Sequence, residues 1–288
     1  MLMITGATGH LGSAVLDHLL RSLPATSLAA LARTPEKLAR FAERGVSVRQ
    51  GDYKDPASLR AAFADVDLLF FVSSGDVAGR TEQHHNVVAA AVAAGVKHVI
   101  YTSFQRKNDS SSSPIHFISE SHLAAETALK SSGMVWTILK NGIYADGLPM
   151  FIGEKVLEHG IALPAGSGTT AFTVRADLAL ASANVLLGSG HEGKTYEFGA
   201  PAAYSYAEIA AMISRISGKN VGYRPLSVEE FRSMMTAAGV PAIYIGIIAG
   251  FSQAIEQGEF SSTESDLERF LGRPATALED FLKSVYTA

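Results

Sequence analysis

Apolar runs of four or five residues alternate with amphipathic stretches through the first half of the chain. Leu2–Thr5, Leu28–Ala32, Val46–Arg49, Leu68–Val72, His98–Thr102 and Val135–Leu139 read as strands. Several are apolar throughout instead of alternating, as parallel strands covered on both faces are. Ser13–Ser22, Pro35–Arg44, Pro56–Phe63, Thr81–Ala94 and Phe117–Lys130 between them read as helices. Pro35 and Pro56 stand where a first helical turn tolerates proline, each after a capping residue, Thr34 and Asp55. Gly45, Gly95 and Gly133 fall just past helix ends.

Strands alternating with helices of this length predict right-handed crossovers and an α/β, Rossmann-type doubly wound parallel sheet. After Gly142 the rhythm changes. Irregular elements over Gly153–His159 and Thr170–Thr173 precede a helix over Arg175–Leu187 and a strand over Thr195–Phe198. Helices near Tyr206–Ser217, Val228–Ala238, Ala242–Gln257 and Thr276–Tyr286 follow. The expected organisation is a nucleotide-binding domain over 1–142, with returning segments near 170–198, and a smaller, discontinuous α+β lobe over 143–288 that walls a cleft. Ser110–Ser113, before Pro114, reads as a mobile loop.

Composition narrows the function classes. With 47% hydrophobic and 18% charged residues, the 288-residue chain is ordinary for a folded enzyme. A net charge of −4 gives no electrostatic case for nucleic acid or an anionic membrane. The absence of cysteine excludes disulfides, thiolate nucleophiles and cysteine metal sites. No secretion signal or membrane-length apolar run is evident, so a cytoplasmic protein is expected. The histidines form no ligand set: His84 and His85 are adjacent, hence on different helix faces, and no metal is expected.

Candidate chemistry begins at Gly6-Ala-Thr8-Gly9-His10-Leu11-Gly12, between the first strand and its helix. Glycines suit a tight turn, a backbone touching a pyrophosphate, and close strand–helix packing, and the helix start offers free N–H groups. The spacing is G-x-x-G-x-x-G, and a plain turn is the alternative reading. Where an NAD-binding unit carries an acidic residue at the end of its second strand, this chain has Arg33, with Lys37 one turn later, which favours a 2′-phosphate and hence NADPH or NADP+ over NAD. A solvated basic helix start is the alternative. Asp52-Tyr53 falls at the adenine edge or initiates a turn. Ser73-Ser74-Gly75 admits ribose and diphosphate or is only a tight turn.

Thr5–Gly12, Leu31–Arg33, Val48–Tyr53, Gln83–Val87, Ala94–His98, Tyr101–Ser103, His122–Glu126, Leu139–Tyr144 and Gly190–Lys194 together resemble the NmrA-like branch of the short-chain dehydrogenase/reductase superfamily. Within it the chain is similar to bacterial NADPH-dependent quinone reductases and triphenylmethane dye reductases. The resemblance implies that Ser103 stands where the superfamily's serine lies, while His122-x-x-x-Glu126 replaces Tyr-x-x-x-Lys. At i and i+4 the two share a helix face, as a proton-donating pair or as a surface pair. The resemblance also places Asn141 and Gly142 at the nicotinamide carboxamide, Thr102 beside the cofactor, and Phe104, Ile143 and Tyr144 in the acceptor pocket. Asn86 either reaches the cofactor or is surface. Tyr204, Tyr206, Phe231, Met234, Met235, Tyr244 and Phe251 are pocket walls or core.

Without the phenol, reduction of an unactivated ketone lacks its proton donor, whereas a quinone accepts hydride into a weakly basic aryloxide. The expected function is an NADPH-dependent reductase of a small aromatic or quinone-like substrate. An NADP(H)-binding redox sensor without turnover, or a reductase of an enone metabolite, are the alternatives. A homodimer is compatible with the sequence.

Overall fold

The structure is a computed structural model that describes residues 1–287. Seven parallel strands form one sheet: β1 (Leu2–Ile4), β2 (Leu28–Ala32), β3 (Ser47–Gln50), β4 (Leu68–Phe71), β5 (His98–Phe104), β6 (Val135–Asn141) and β7 (Lys194–Phe198). Their order is β7-β6-β5-β4-β1-β2-β3. The chain leaves β1 toward β2 and β3, then returns to β4 on the other side. That reversal opens a crevice over the carboxyl ends of β1 and β4, where ligands of such sheets bind. The doubly wound sheet predicted by the apolar runs is present. β5 and β6 run two residues beyond the apolar pattern, which brings Ser103, Phe104 and Asn141 onto strand ends.

Alternating side chains feed two cores. Ile4, Ala30, Phe70 and Ile100 point to one face, covered by α1 (His10–Leu19) and α5 (Arg175–Leu187). Met3, Leu31, Phe71 and Tyr101 point to the other, under α2 (Pro56–Ala62), α3 (Arg80–Ala94) and α4 (His116–Ser131). A third core, around Leu148, Ile161, Tyr206, Phe231, Ile248 and Leu282, belongs to the C-terminal segments.

Local chemistry accounts for the element starts that differ from expectation. α1 begins at His10, three residues before the apolar pattern, because its N-cap is Gly9, which has no side chain to signal the start. Asp55 caps α2, accepting from the Ala57 and Ser58 amides at 3.0 and 3.2 Å. Thr34 makes no such bond, and Pro35–Arg44 is not one helix but a 3₁₀ turn over Pro35–Leu38 followed by four α-helical residues, Ala39–Ala42. The serine loop is tied down at its end: Ser113 is buried and its hydroxyl donates to buried Glu259 at 2.8 Å.

β7 is an edge strand, paired with β6 alone. Its outward Glu197 amide donates to the Asp266 carboxylate at 3.1 Å, and its carbonyl accepts from the Asp266 amide at 2.7 Å. Ser265 Oγ donates to the Gly199 carbonyl just beyond the strand, at 2.7 Å.

Candidate active site

Two adjoining hollows lie over the crevice. A cleft of about 410 Å³ is lined by Gly6, Thr8, Leu31–Arg33, Gly51–Lys54 and Val72–Asp76, with Gln83. A cavity of about 300 Å³ beside it is lined by Arg80, Ser103, Phe104, Ile118, His122, Asn141–Tyr144, Gly147, Phe151 and Phe251. Ser73 and Ser74 border both.

The glycine turn is built for close approach. Gly6 has φ +59°, and a Cβ there would meet Val72 at 3.0 Å. A Cβ on Gly12 would lie 2.5 Å from the Gly6 carbonyl oxygen and 2.8 Å from its carbon, so only glycine lets α1 pack this tightly on the turn. Gly9, His10 and Thr8 are exposed on the turn, whereas Leu11 points into the core. Arg33 is exposed at the rim of the cleft, and Lys37 is exposed but outside its lining. Tyr53 is fixed as a wall, its hydroxyl 2.8 Å from the Val72 carbonyl and within hydrogen-bond reach of Thr5 Oγ1. Burial pushes that phenol above its ordinary range, so it remains a donor.

Two predicted residues support the cleft without lining it. Asn86 donates through Nδ2 to the Tyr53 carbonyl at 2.9 Å. Buried Thr102 accepts from the Ser73 amide at 2.9 Å.

The predicted His122–Glu126 partnership does not form. Each side chain shares the helix face but turns to a different partner. A four-residue step along a helix, about 6 Å, is close to a two-residue step along a strand, about 6.6 Å. One face of α4 therefore meets both Tyr101 and Ser103 on β5. Ser103 Oγ donates to Glu126 Oε1 at 2.5 Å, and the same oxygen accepts from both terminal nitrogens of Arg106 at 3.2 Å. Arg106, its side chain fully buried, also donates to the Phe104 carbonyl at 3.0 Å and to Asp109 at 2.6 Å. Ser103 thus has its proton committed to a carboxylate, and Glu126 holds a strand end in place.

His122 belongs to a different chain of bonds. The Ser74 amide can only donate, so His84 Nε2, 3.0 Å away, accepts. His84 then carries its hydrogen on Nδ1, facing the Ser121 carbonyl at 3.2 Å and, more distantly, Tyr101 Oη at 3.4 Å. Tyr101 Oη is left to donate to His122 Nδ1 at 2.8 Å. The network fixes the hydrogen of neutral His122 on Nε2, which has no protein partner among the described residues. Burial, reinforced by His84, Arg80 and Arg106, holds the His122 pKa well below its ordinary value; burial, followed by the charges of Arg80 and His85, lowers that of His84 to about 4. At neutral pH the cavity is therefore offered an uncharged N–H donor.

Across the cavity, Asn141 Nδ2 donates to the Tyr144 hydroxyl at 3.2 Å, while its buried Oδ1 has no partner. An unpaired buried acceptor costs about 1–3 kcal/mol, which a ligand donor can recover. Gly142 must be glycine: a Cβ would lie 2.5 Å from Thr173 Oγ1. Phe104 packs edge-on against His122 with ring centroids 4.9 Å apart. Of the other aromatic and Met candidates only Phe251 lines the cavity; Tyr206 and Phe231 are core, and Met234 and Tyr244 are exposed.

Sequence reasoning missed His84, Tyr101 and Arg106. The only signal available was local: a histidine on the buried stripe of α3, a tyrosine inside an apolar strand, and an arginine in a polar loop. Among the described residues no group of His, Asp and Glu is placed to hold a metal, and no helix is long and apolar enough to cross a membrane.

The chain and its fold are similar to known proteins. Quinone oxidoreductase 2 of Escherichia coli (strain K12) is 36% identical over 287 residues, 99% of each chain. A crystal structure of Citrobacter sp. triphenylmethane reductase complexed with NADP(H) superimposes with a TM-score of 0.90 at 38% identity, covering 99% of both chains. The NADPH complex of an Escherichia coli NADPH-dependent quinone oxidoreductase gives 0.90 at 35% identity over the full length of both. The model of the NmrA-like family matches residues 1–283, and the chain belongs to that family.

Proposed function

We propose that this protein passes hydride from NADPH to a quinone or a similarly activated aromatic acceptor, the cleft taking the dinucleotide and the adjoining cavity the acceptor. It is an NAD(P)H-dependent oxidoreductase with full-length relatives named for quinone and dye reduction. The observation that carries the finer reading is the lining of the cavity, which offers the neutral His122 N–H, has no lysine beside the Tyr144 phenol to make it an acid, and has the Ser103 proton committed to Glu126.

The residues fit the cofactor. The glycine cradle of Gly6, Gly9 and Gly12 leaves backbone room for the diphosphate at the α1 N-terminus, where Thr8, His10 and Leu11 supply backbone N–H groups. Arg33 suits a 2′-phosphate, with Lys37 adding charge from outside the lining. Asp52 and Tyr53 border the adenine end, Ser73, Ser74 and Gly75 the ribose and diphosphate. Asn141 Oδ1 would accept from the carboxamide, beside Gly142. Asn86 and Thr102 act by holding Tyr53 and Ser73. Bound NADPH supplies the hydride. His122 donates to the acceptor oxygen that gains charge; because an aryloxide is delocalised and weakly basic, a neutral donor suffices. Phe104, Ile143 and Tyr144 clamp the ring.

The test follows NADPH absorbance with benzoquinone, naphthoquinone, a triphenylmethane dye, an enone and an aliphatic ketone. Quinones are expected to be consumed and the ketone spared. Tight NADPH binding without oxidation by any of them would overturn the reading in favour of a nucleotide sensor. Arg33→Ala is expected to weaken NADPH about tenfold or more while changing NADH less than about twofold, the loss of a charge-assisted contact at an exposed rim. Equal losses, read by titration calorimetry, would refute the 2′-phosphate assignment.

A further inference from the structure

The acceptor cavity has a charge that the quinone chemistry leaves unused. Arg80, the first residue of α3, is the one ionised side chain among its lining residues. It forms no ion pair within 4.0 Å among the described residues, and its buried Nε has no hydrogen-bond partner. The neighbouring charges are matched elsewhere. Arg106 is held by Glu126 and Asp109, Arg175 lies over the Tyr144 ring near Asp146, and Asp76 is paired with Lys54 at 3.0 Å. Arg80 also lines an outer concavity that includes Glu82 and Glu120, neither of them within 4.0 Å of it.

A half-buried, unmatched guanidinium with an orphaned donor lacks an anion, and an aromatic cavity beside it defines what the anion is attached to. We infer that Arg80 makes the cavity selective for aromatic acceptors bearing an anionic group, such as a sulfonate or carboxylate, and adverse to cationic dyes. The selectivity rests on the reading of this cavity as the acceptor site. His122 serves the oxygen that is reduced, whereas Arg80 serves a substituent that is not.

Binding and turnover test it separately. With the protein saturated with NADP+, 2-naphthalenesulfonate and neutral 2-naphthol are titrated into the wild type, Arg80→Gln and Arg80→Lys. The wild type is expected to prefer the sulfonate; Arg80→Gln should lose about tenfold or more for the sulfonate and under twofold for the naphthol, with NADP+ affinity unchanged. Arg80→Lys should keep most of the preference. Equal wild-type affinities, equal losses for both probes, or a loss confined to NADP+ would overturn the inference. In turnover, kcat/KM for 1,2-naphthoquinone-4-sulfonate over 1,2-naphthoquinone should fall toward unity in Arg80→Gln, and a cationic dye should gain. Quinone turnover blind to charge sinks the role of Arg80 and spares the reductase; selective sulfonate binding without any turnover does the reverse.

Discussion

Glu126→Ala is expected to destabilise the protein by about 3 kcal/mol, the low end for removing one partner of a buried ion pair. Arg106 would keep its buried charge with only exposed Asp109 opposite it, and Ser103 would lose its acceptor. At about 1.7 °C per kcal/mol for a chain of 288 residues, the midpoint of thermal unfolding should fall by about 5 °C. The double variant Glu126→Leu with Arg106→Met should recover most of that, since no charge is then stranded. A single-variant loss below about 1 kcal/mol would mean that water reaches Arg106 and that the ion pair does not hold the end of β5.

Loss of the His122 donor should cost about 100-fold in kcat for a quinone, roughly 2.7 kcal/mol of barrier, with NADPH affinity unchanged. The pH profile separates a neutral donor from an acid. The groups facing the ring are Tyr101 from β5, His84 and Arg80 from α3, and Arg106 from the loop after β5, with Glu126 one turn on but bonded elsewhere. Burial and the two guanidiniums disfavour the imidazolium, so the folded pKa lies below the ordinary value and the ring is already neutral above it. Wild-type kcat should accordingly be flat from about pH 6 to pH 8. A kcat that falls as the pH rises through that window would identify a protonated ring as the donor, and His122→Ala with undiminished kcat would leave positioning alone as the catalytic device.

How much of this was legible in the chain follows from the range of each interaction. β2 and α5 lie over the residues their patterns indicate, because apolar runs and caps act within a few residues. The same holds for Asp55 and for Gly45, Gly95 and Gly133, all three with positive φ. The site is different. The i, i+4 spacing of His122 and Glu126 correctly puts them on one face, yet their partners, Tyr101 and Ser103, come from a strand about twenty residues earlier. Only the register of α4 on β5 decides which pairs form. Tyr101 in an apolar strand looks like any core aromatic, and Arg106 in a polar loop looks solvated until Glu126 arrives above it.

The capped edge of β7 bears on how copies of this chain can meet. An open edge strand is a template for another strand, the usual route to a sheet continued across two subunits or to aggregation. Here Asp266 occupies both outward backbone groups of Glu197 and Ser265 takes the Gly199 carbonyl beyond it, so the carboxyl end of that template is spent within the molecule, while exposed Thr195 has no such partner among the described residues. An added strand could not pair along the carboxyl end of β7, and truncation before Ser265 would reopen that stretch of the edge.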